Sequence, residues 1–150
     1  MATGDEARVI ALFRPATQGE PMEPLDTAEV IEDFGFKGDR KARPGSKRQV
    51  LIMASETICD LGLEPGDLDE NISSAGLAVD ELRRGQRIRI GNVLLETTIE
   101  RPACHKLDAL RPGLSETTRH RSGMMAVVLR SGEIHVGDTI EMVSAEASSQ

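Results

Sequence analysis

Residues 87–100 read RIRIGNVLLETTIE, and this stretch gives the clearest indication of the fold. Apolar and polar residues alternate on both sides of Gly91-Asn92, a pair that is compatible with the tight turn of a β-hairpin. The stretch therefore predicts two antiparallel strands that are joined at this turn.

Other short apolar runs predict further strands. They are residues 7–13, the first half of residues 27–39, residues 48–53, and two runs separated by Ser131-Gly132. Residues 54–67 predict a short helix that is capped by Ser55, with Glu56 in its first turn and Gly62 at its end. About seven strands without strand–helix alternation indicate a mainly β, barrel-like fold with a few short helices.

Two stretches between these elements predict loops. Residues 14–24 contain three prolines and a glycine, and residues 35–45 predict a long turn that carries basic side chains. No linker divides the chain, so we expect a single domain over residues 1–150. The polar residues 145–150 predict a disordered tail.

The composition argues against several classes of function. The chain has 150 residues, three Phe, no Tyr or Trp, and a net charge of −7, which disfavours nucleic-acid binding. No apolar stretch approaches the roughly 20 residues of a membrane span, and the N-terminus is too charged for a signal peptide. We therefore expect a cytoplasmic protein without a membrane or nucleic-acid partner.

Residues 35–48, GFKGDRKARPGSKR, form what we call the basic loop. Glycines let the backbone approach a phosphate and arginine binds phosphate oxygens in pairs, so an anion site is one interpretation and a solvated loop is the other. The spacing does not match a Walker A loop. The loop contains six cationic residues: Lys37, Arg40, Lys41, Arg43, Lys47 and Arg48.

Cys104 follows a predicted strand in the stretch TTIERPACHKLDAL, residues 97–110. Its neighbours Arg101, His105 and Lys106 are cationic or can become so, and a helical turn is expected after Pro102. Such surroundings lower a thiol pKa, and the thiolate attacks sulfur or binds a soft metal. The alternative is a small buried apolar residue, and this is the interpretation we adopt for Cys59 in the predicted helix.

The remaining titratable groups predict no site of their own. His105, His120 and His135 lack the spacing of metal ligands, and alternation with Ile134 places His135 towards solvent. The acidic residues after Gly66 are expected to lie in a loop and not to form a catalytic pair; they are Asp67, Asp69 and Glu70.

Five segments, in this order, resemble the MOSC domain, the module named for the C-terminal part of molybdenum cofactor sulfurases. They are FGFKGDRKA (34–42), RQVLIM (48–53), DENISSAGLAVDELRRGQRIRIGNVLLETT (69–98), RPACHKL (101–107) and RSGMMAVVLRSGEIHVGD (121–138). The resemblance spans residues 30–142. It implies a β-barrel-like domain with a role in handling sulfur or the molybdenum cofactor.

The resemblance also implies roles for individual residues. Cys104 matches the family's single cysteine after a proline, which implies a catalytic sulfur carrier or a molybdenum ligand. Lys41 stands where many relatives have histidine, so proton transfer by histidine is not expected there. The residues implied to bind the cofactor are Gly38, Asp39, Arg40, Lys41, Arg48, Asn71, Arg101, His105 and Lys106. Further family matches are Glu70, Gly76, Gly123, Gly137 and Asp138.

Three functions stay open from the sequence. The first is a domain that binds molybdenum cofactor (molybdopterin) or carries sulfur as a persulfide on Cys104. The second is a molybdenum-dependent reductase of N-hydroxylated substrates, which needs a redox partner protein. The third is a non-enzymatic anion-binding module with a structural Cys104.

A sulfur carrier would need a separate sulfur donor of the cysteine desulfurase type. The pyridoxal phosphate would belong to that partner, because 150 residues cannot also hold such a domain. The main structural expectation is that the basic loop and Cys104 share one pocket.

Overall fold

The computed structural model describes residues 6–101, 108, 111–117 and 121–143. Within these residues the chain is mainly β, as the sequence predicts. The strands are β1 (Arg8–Arg14), β2 (Glu23–Leu25), β3 (Thr27–Ile31), β4 (Gly35–Phe36), β5 (Val50–Ala54), β6 (Ile72–Ala75), β7 (Arg87–Ile90), β8 (Val93–Glu100), β9 (Met124–Arg130), β10 (Gly132–His135) and β11 (Ile140–Val143). The helices are α1 (Ser55–Asp60), α2 (Leu114–Thr117) and a 3₁₀ turn (Val79–Glu81).

The predicted hairpin is confirmed as β7 and β8. Arg87 lies opposite Glu96 and Ile90 lies opposite Val93, so Gly91 and Asn92 form a two-residue turn. Gly91 has a φ of 59°, and a positive φ at the first turn position alone is typical of a type II′ turn.

The strands form two sheets. The larger sheet has the order β11-β7-β8-β9-β5-β6-β1-β2, and the smaller one has the order β10-β3-β4. In the larger sheet β5 and β6 pair in parallel, and α1 lies in the connection between them. The sheets are not closed into a barrel, although an isolated bridge between Arg8 and Thr139 brings β1 beside the chain ahead of β11.

Among the described residues, the buried apolar side chains form two clusters. The larger one contains residues of both sheets, including the fully buried side chains of Val9, Phe36 and Ile72. The smaller cluster lies under α1 and joins it to α2; its members are Met53, Ile58, Leu61, Leu68 and Leu114.

The helix α1 differs from the prediction in two details. Ser55 is the first helical residue and the cap is Ala54, which makes no side-chain hydrogen bond. Cys59 is exposed, so its interpretation as a buried apolar residue is wrong. Thr57 and Ile58 fill the buried side of this six-residue helix and leave Cys59 on the solvent side. Glu56 and Gly62 occupy the first turn and the left-handed C-terminal position as predicted.

The number of strands is larger than expected. The two-residue strand β4 lies inside the predicted long turn, and β2 begins within the predicted loop of residues 14–24. The last apolar run is divided into β10 and β11 by a turn in which Gly137 has a φ of 100°. The predicted helical turn after Pro102 lies outside the described residues except at Asp108, and the predicted tail lies wholly outside them.

Candidate functional site

The basic loop begins at a turn that is fixed by Asp39. This side chain is buried, and its Oδ1 accepts a hydrogen bond from the backbone N–H of Lys41 at 2.7 Å. Its Oδ2 accepts a bond from Nδ2 of Asn71 at 3.1 Å. Both carboxylate oxygens are therefore used to shape the loop.

Asn71 connects this turn to the main sheet. Its Nδ2 also donates to the carbonyl of Phe13 at the end of β1 (3.2 Å), and its Oδ1 accepts from the N–H of Leu51 in β5 (2.9 Å). One amide side chain thus ties two strands and the basic loop together. The structure brings together Asp39 and Asn71, which are far apart in the sequence.

Gly38 has a left-handed backbone conformation that favours glycine, and it lies close to Arg14. Gly38 has a φ of 86°, and an added Cβ would overlap the Arg14 guanidinium group. Arg14 donates from Nη1 to the Lys37 carbonyl at 2.7 Å and from Nε to Glu23 Oε1 at 2.8 Å. The hydrogen bond from Arg14 lowers the pKa of the Glu23 carboxyl below its usual value.

The other end of the basic loop is held by Gln49 and Asp33. Gln49 is buried; its Nε2 donates to Asp33 Oδ1 at 3.0 Å, and its Oε1 accepts from the N–H of Val128 at 3.0 Å. Two hydrogen bonds lower the pKa of Asp33: the larger effect comes from the Gly45 backbone N–H and the smaller from the Gln49 side chain. Sequence reasoning missed these two anchors, because their partners are brought to them by the fold and are not sequence neighbours.

The cationic side chains of the basic loop are exposed on this fixed backbone. Lys37 forms a surface ion pair with Glu29, with Nζ and Oε1 3.5 Å apart. The arrangement places positive charge on an anchored loop, which the anion-site interpretation of this loop requires. The exposed cations are Lys37, Arg40, Lys41, Arg43, Lys47 and Arg48.

Arg101 is half-buried at the end of β8. Its backbone N–H donates to the carbonyl of Gly123 at 2.9 Å, and its own carbonyl accepts from the Ser122 hydroxyl at 3.3 Å. Its Nη1 donates to the carbonyl of Leu68. The guanidinium group is therefore oriented by the loop that precedes Asn71.

The segment from Leu68 to Asn71 contacts both halves of the predicted site. Leu68 accepts the bond from Arg101, and Asn71 holds Asp39 of the basic loop. Cys104, His105 and Lys106 lie outside the described residues, so the shared pocket stays a prediction.

A cleft of about 230 Å³ is lined in part by Thr98 and Gly123, which bond to the basic loop and to Arg101 respectively. The Thr98 hydroxyl donates to the carbonyl of Lys47. The carbonyl of Gly123 accepts the backbone bond of Arg101. The lining residues are Val79, Asp80, Leu82, Arg84, Thr98, Glu100, Gly123 and Met124.

Asp80 is an acidic group in this cleft that sequence reasoning did not identify. Burial raises its pKa, and the charge of Arg121 and a hydrogen bond from Thr57 act against that shift. Arg121 Nε lies 3.9 Å from Asp80 Oδ2, while its Nη2 lies 3.4 Å from Asp60 Oδ2. Arg121 thereby connects the 3₁₀ turn with α1.

Glu70 lies in a loop, as predicted, but it is fully buried. Its Oε2 accepts hydrogen bonds from the N–H of Gly66 (2.6 Å) and the hydroxyl of Ser73 (2.7 Å). Burial raises the pKa of this carboxyl, and these hydrogen bonds act in the opposite direction. A lone glutamate in a polar stretch gives no sequence signal for such burial.

Neither a metal-binding cluster nor a membrane-spanning helix is found in the described part of the chain. No group of three or more His, Cys, Asp or Glu side chains there could hold a metal ion. No helix there is long and apolar enough to cross a membrane. His135 is exposed on the face opposite the buried Ile134, as predicted.

These features define a mainly β domain with an anchored cationic loop that is joined through Asn71 to the main sheet. The model of the MOSC domain matches residues 39–141 of this chain. The chain therefore belongs to the MOSC domain family, which is associated with molybdenum-cofactor-binding proteins.

Solved structures show the same fold at low sequence identity. YuaD from Bacillus subtilis is 20% identical with a TM-score of 0.73, and the match covers 91% of this chain and 94% of that protein. YiiM from Geobacillus stearothermophilus is 17% identical with a TM-score of 0.73, covering 92% and 75%. YiiM from Escherichia coli is 19% identical with a TM-score of 0.68, covering 93% and 69%. No curated protein sequence matches the chain.

Proposed function

We propose that this chain is a molybdenum-cofactor-binding or sulfur-carrier domain, with Cys104 as its reactive group and the basic loop as the site for the cofactor phosphate. The observation that carries the proposal is the segment from Leu68 to Asn71. It bonds to Asp39 of the basic loop and to Arg101, which stands three residues before Cys104 in the chain.

The described residues fit the anionic part of a molybdenum cofactor. Arg40, Lys41 and Arg48 are exposed, and the Asp39 carboxylate beside them is turned inward to Lys41 and Asn71. A phosphate would therefore meet cations without a facing carboxylate from Asp39. The bound cofactor would supply a redox-active metal, for which a Cys104 thiolate is a suitable soft ligand.

The sulfur-carrier chemistry needs only the thiolate of Cys104 and a persulfide donor. The thiolate attacks the outer sulfur of the donor persulfide, a new S–S bond forms on Cys104, and the donor leaves as a thiolate. A nucleophile on the acceptor then takes the outer sulfur, and Cys104 returns to its thiolate form. The donor is a separate protein of the cysteine desulfurase type.

Sulfur loading tests the role of Cys104. The Cys59→Ala protein is incubated with a persulfide donor, and its cyanolysable sulfur and molybdenum content are measured. We expect about one cyanolysable sulfur per chain and none when Cys104→Ser is added. Two results would contradict the proposal. One is equal sulfur loading of the two proteins, and the other is that neither protein takes up sulfur and neither contains molybdenum. Molybdenum that copurifies only when Cys104 is present would favour the cofactor-binding form, and turnover of an N-hydroxylated substrate would then identify the reductase.

Anion binding tests the basic loop independently. With inorganic pyrophosphate as the probe, we expect Arg40→Ala to weaken binding about tenfold, because a charge-assisted hydrogen bond is lost. Binding should also weaken as salt increases. Arg89→Ala is the matched control, since Arg89 is exposed on β7 and paired with Glu141. An equal effect of both substitutions would remove the basic loop from the proposal.

A further inference from the structure

Glu70 is a buried carboxyl group whose two oxygens have different surroundings. Oε2 accepts from Gly66 N–H and the Ser73 hydroxyl, whereas Oε1 makes no hydrogen bond of normal geometry in the described structure. The backbone N–H groups of Leu68 and Glu70 lie near the carboxyl group and weakly oppose the rise in its pKa. The two bonds to Oε2 join the two ends of the loop of residues 66–73. Asp69 within that loop has a φ of 61°, a conformation that persists only where neighbouring contacts impose it.

This loop is the point at which three parts of the molecule meet. The carbonyl of Leu68 accepts from Arg101, and the side chain of Asn71 holds Asp39. Asn71 also bonds to Leu51 in β5. The relative position of Leu68 and Asn71 therefore sets the position of Arg101 relative to the basic loop.

We propose that Glu70 is a positioning residue: its buried side chain fixes the loop so that Leu68 and Asn71 hold Arg101 and Asp39 in one arrangement. The effect on Cys104 rests on the proposed function, whereas the placement of Arg101 relative to Asp39 does not. Glu70 acts through its hydrogen bonds to Gly66 and Ser73.

The unequal use of the two oxygens makes the proposal testable with near-isosteric substitutions. Glu70→Gln retains one acceptor oxygen for Gly66 and Ser73. Glu70→Met has a similar size and no such acceptor, so it leaves the Gly66 N–H and the buried Ser73 hydroxyl without this partner. Ser73→Ala removes one donor and keeps the carboxyl, and it serves as a milder variant if Glu70→Met does not fold.

The experiment is amide hydrogen exchange on the full chain at neutral pH. Three amides report on the arrangement: Lys41, bonded to Asp39; Leu51, bonded to Asn71; and Arg101, bonded to Gly123. We expect Glu70→Met to speed their exchange about tenfold and Ser73→Ala about threefold. Glu70→Gln should leave them near the parent rate, and amides of the β7–β8 hairpin should not change in any variant.

Two results would overturn the proposal. One is that Glu70→Met, or Ser73→Ala in its place, speeds only the amides of residues 64–69. The other is that Glu70→Gln loosens the three reporting amides as much as Glu70→Met. A second measurement is the pH midpoint of Cys104 alkylation in a Cys59→Ala background. This midpoint should be higher in Glu70→Met than in the parent protein. If the parent midpoint is not lowered at all, the proposed function fails while the exchange rates still decide the role of Glu70.

Discussion

At the scale of single residues, Asn71 has the largest structural role in the candidate site. It is 5% exposed, and its side chain bonds to Leu51, Phe13 and Asp39. The family motif indicates that an asparagine belongs here. The structure gives the physical reason, because only a side chain with both a donor and an acceptor satisfies these groups together.

Replacing Asn71 with Ala should lower the free energy of unfolding by about 3 kcal/mol, since buried polar groups on three elements lose their partner. Urea denaturation measures this change. Asn92→Ala at the exposed hairpin turn is the control and should cost less than about 0.5 kcal/mol. A cost of Asn71→Ala as small as that of the control would show that these bonds do not anchor the loop.

Glu70 should make stability depend on pH in a defined direction. Its pKa in the folded protein is raised above the usual value of 4.5, so between these two values the folded state binds more protons than the unfolded state. Its contribution therefore favours folding at low pH and is lost as pH rises through the folded-state pKa. Relative to the parent, Glu70→Gln should gain stability as pH rises above about 4.5, measured by urea denaturation across a pH series. A difference between the two proteins that stays constant with pH would contradict this assignment.

At the scale of elements, the local signals of the sequence predict most of the strands but miss β2, β4 and β6. The β7–β8 hairpin and the buried β5 follow from alternation, from turn residues and from an apolar run. The parallel pairing of β5 with β6 could not be predicted in this way. It joins segments on either side of α1, and the serines of β6 give no strand signal.

The sequence likewise identified some residues of the candidate site and missed others. Motifs identified Gly38, Asp39 and Asn71 as cofactor-binding candidates, and the structure shows that these residues shape the loop. Their contact with a cofactor stays a prediction. Gln49 and Glu70 were missed as anchors because their partners are set by the fold and not by sequence neighbours. A pattern of residue types cannot distinguish a buried polar anchor from an exposed polar residue.

Gly123 marks the junction of β9 with the chain that leads from Arg101. It has a φ of 106°, and an added Cβ would lie 2.7 Å from the Ile52 carbonyl oxygen and 2.9 Å from Met53 Sδ. Gly123→Ala should therefore destabilise the protein by about 3 kcal/mol in thermal or urea unfolding. Gly19→Ala is the matched control. It has a φ of 84° with nothing within 4 Å, so it should cost about 1 kcal/mol. Equal costs would mean that the backbone conformation and not the contact with β5 requires Gly123.

At the scale of the whole molecule, the basic loop is a local concentration of positive charge on a protein whose net charge is negative. The chain has a net charge of −7, yet the basic loop contains six exposed cations on an anchored backbone. The neighbouring cleft is lined by two acidic residues, Asp80 and Glu100, and by one basic residue, Arg84. A surface of this kind attracts a small anion to the loop and does not favour a long polyanion.

The pH dependence of Cys104 alkylation tests the central claim, that Cys104 is a reactive thiolate beside these cations, most directly. The protein carries Cys59→Ala, because Cys59 is exposed and would otherwise react as well. The account predicts a midpoint well below the unperturbed value of about 8.5 in the native protein. A thiol that reacts only after unfolding, or with an unshifted midpoint, would contradict the claim and leave the MOSC assignment as a statement about the fold.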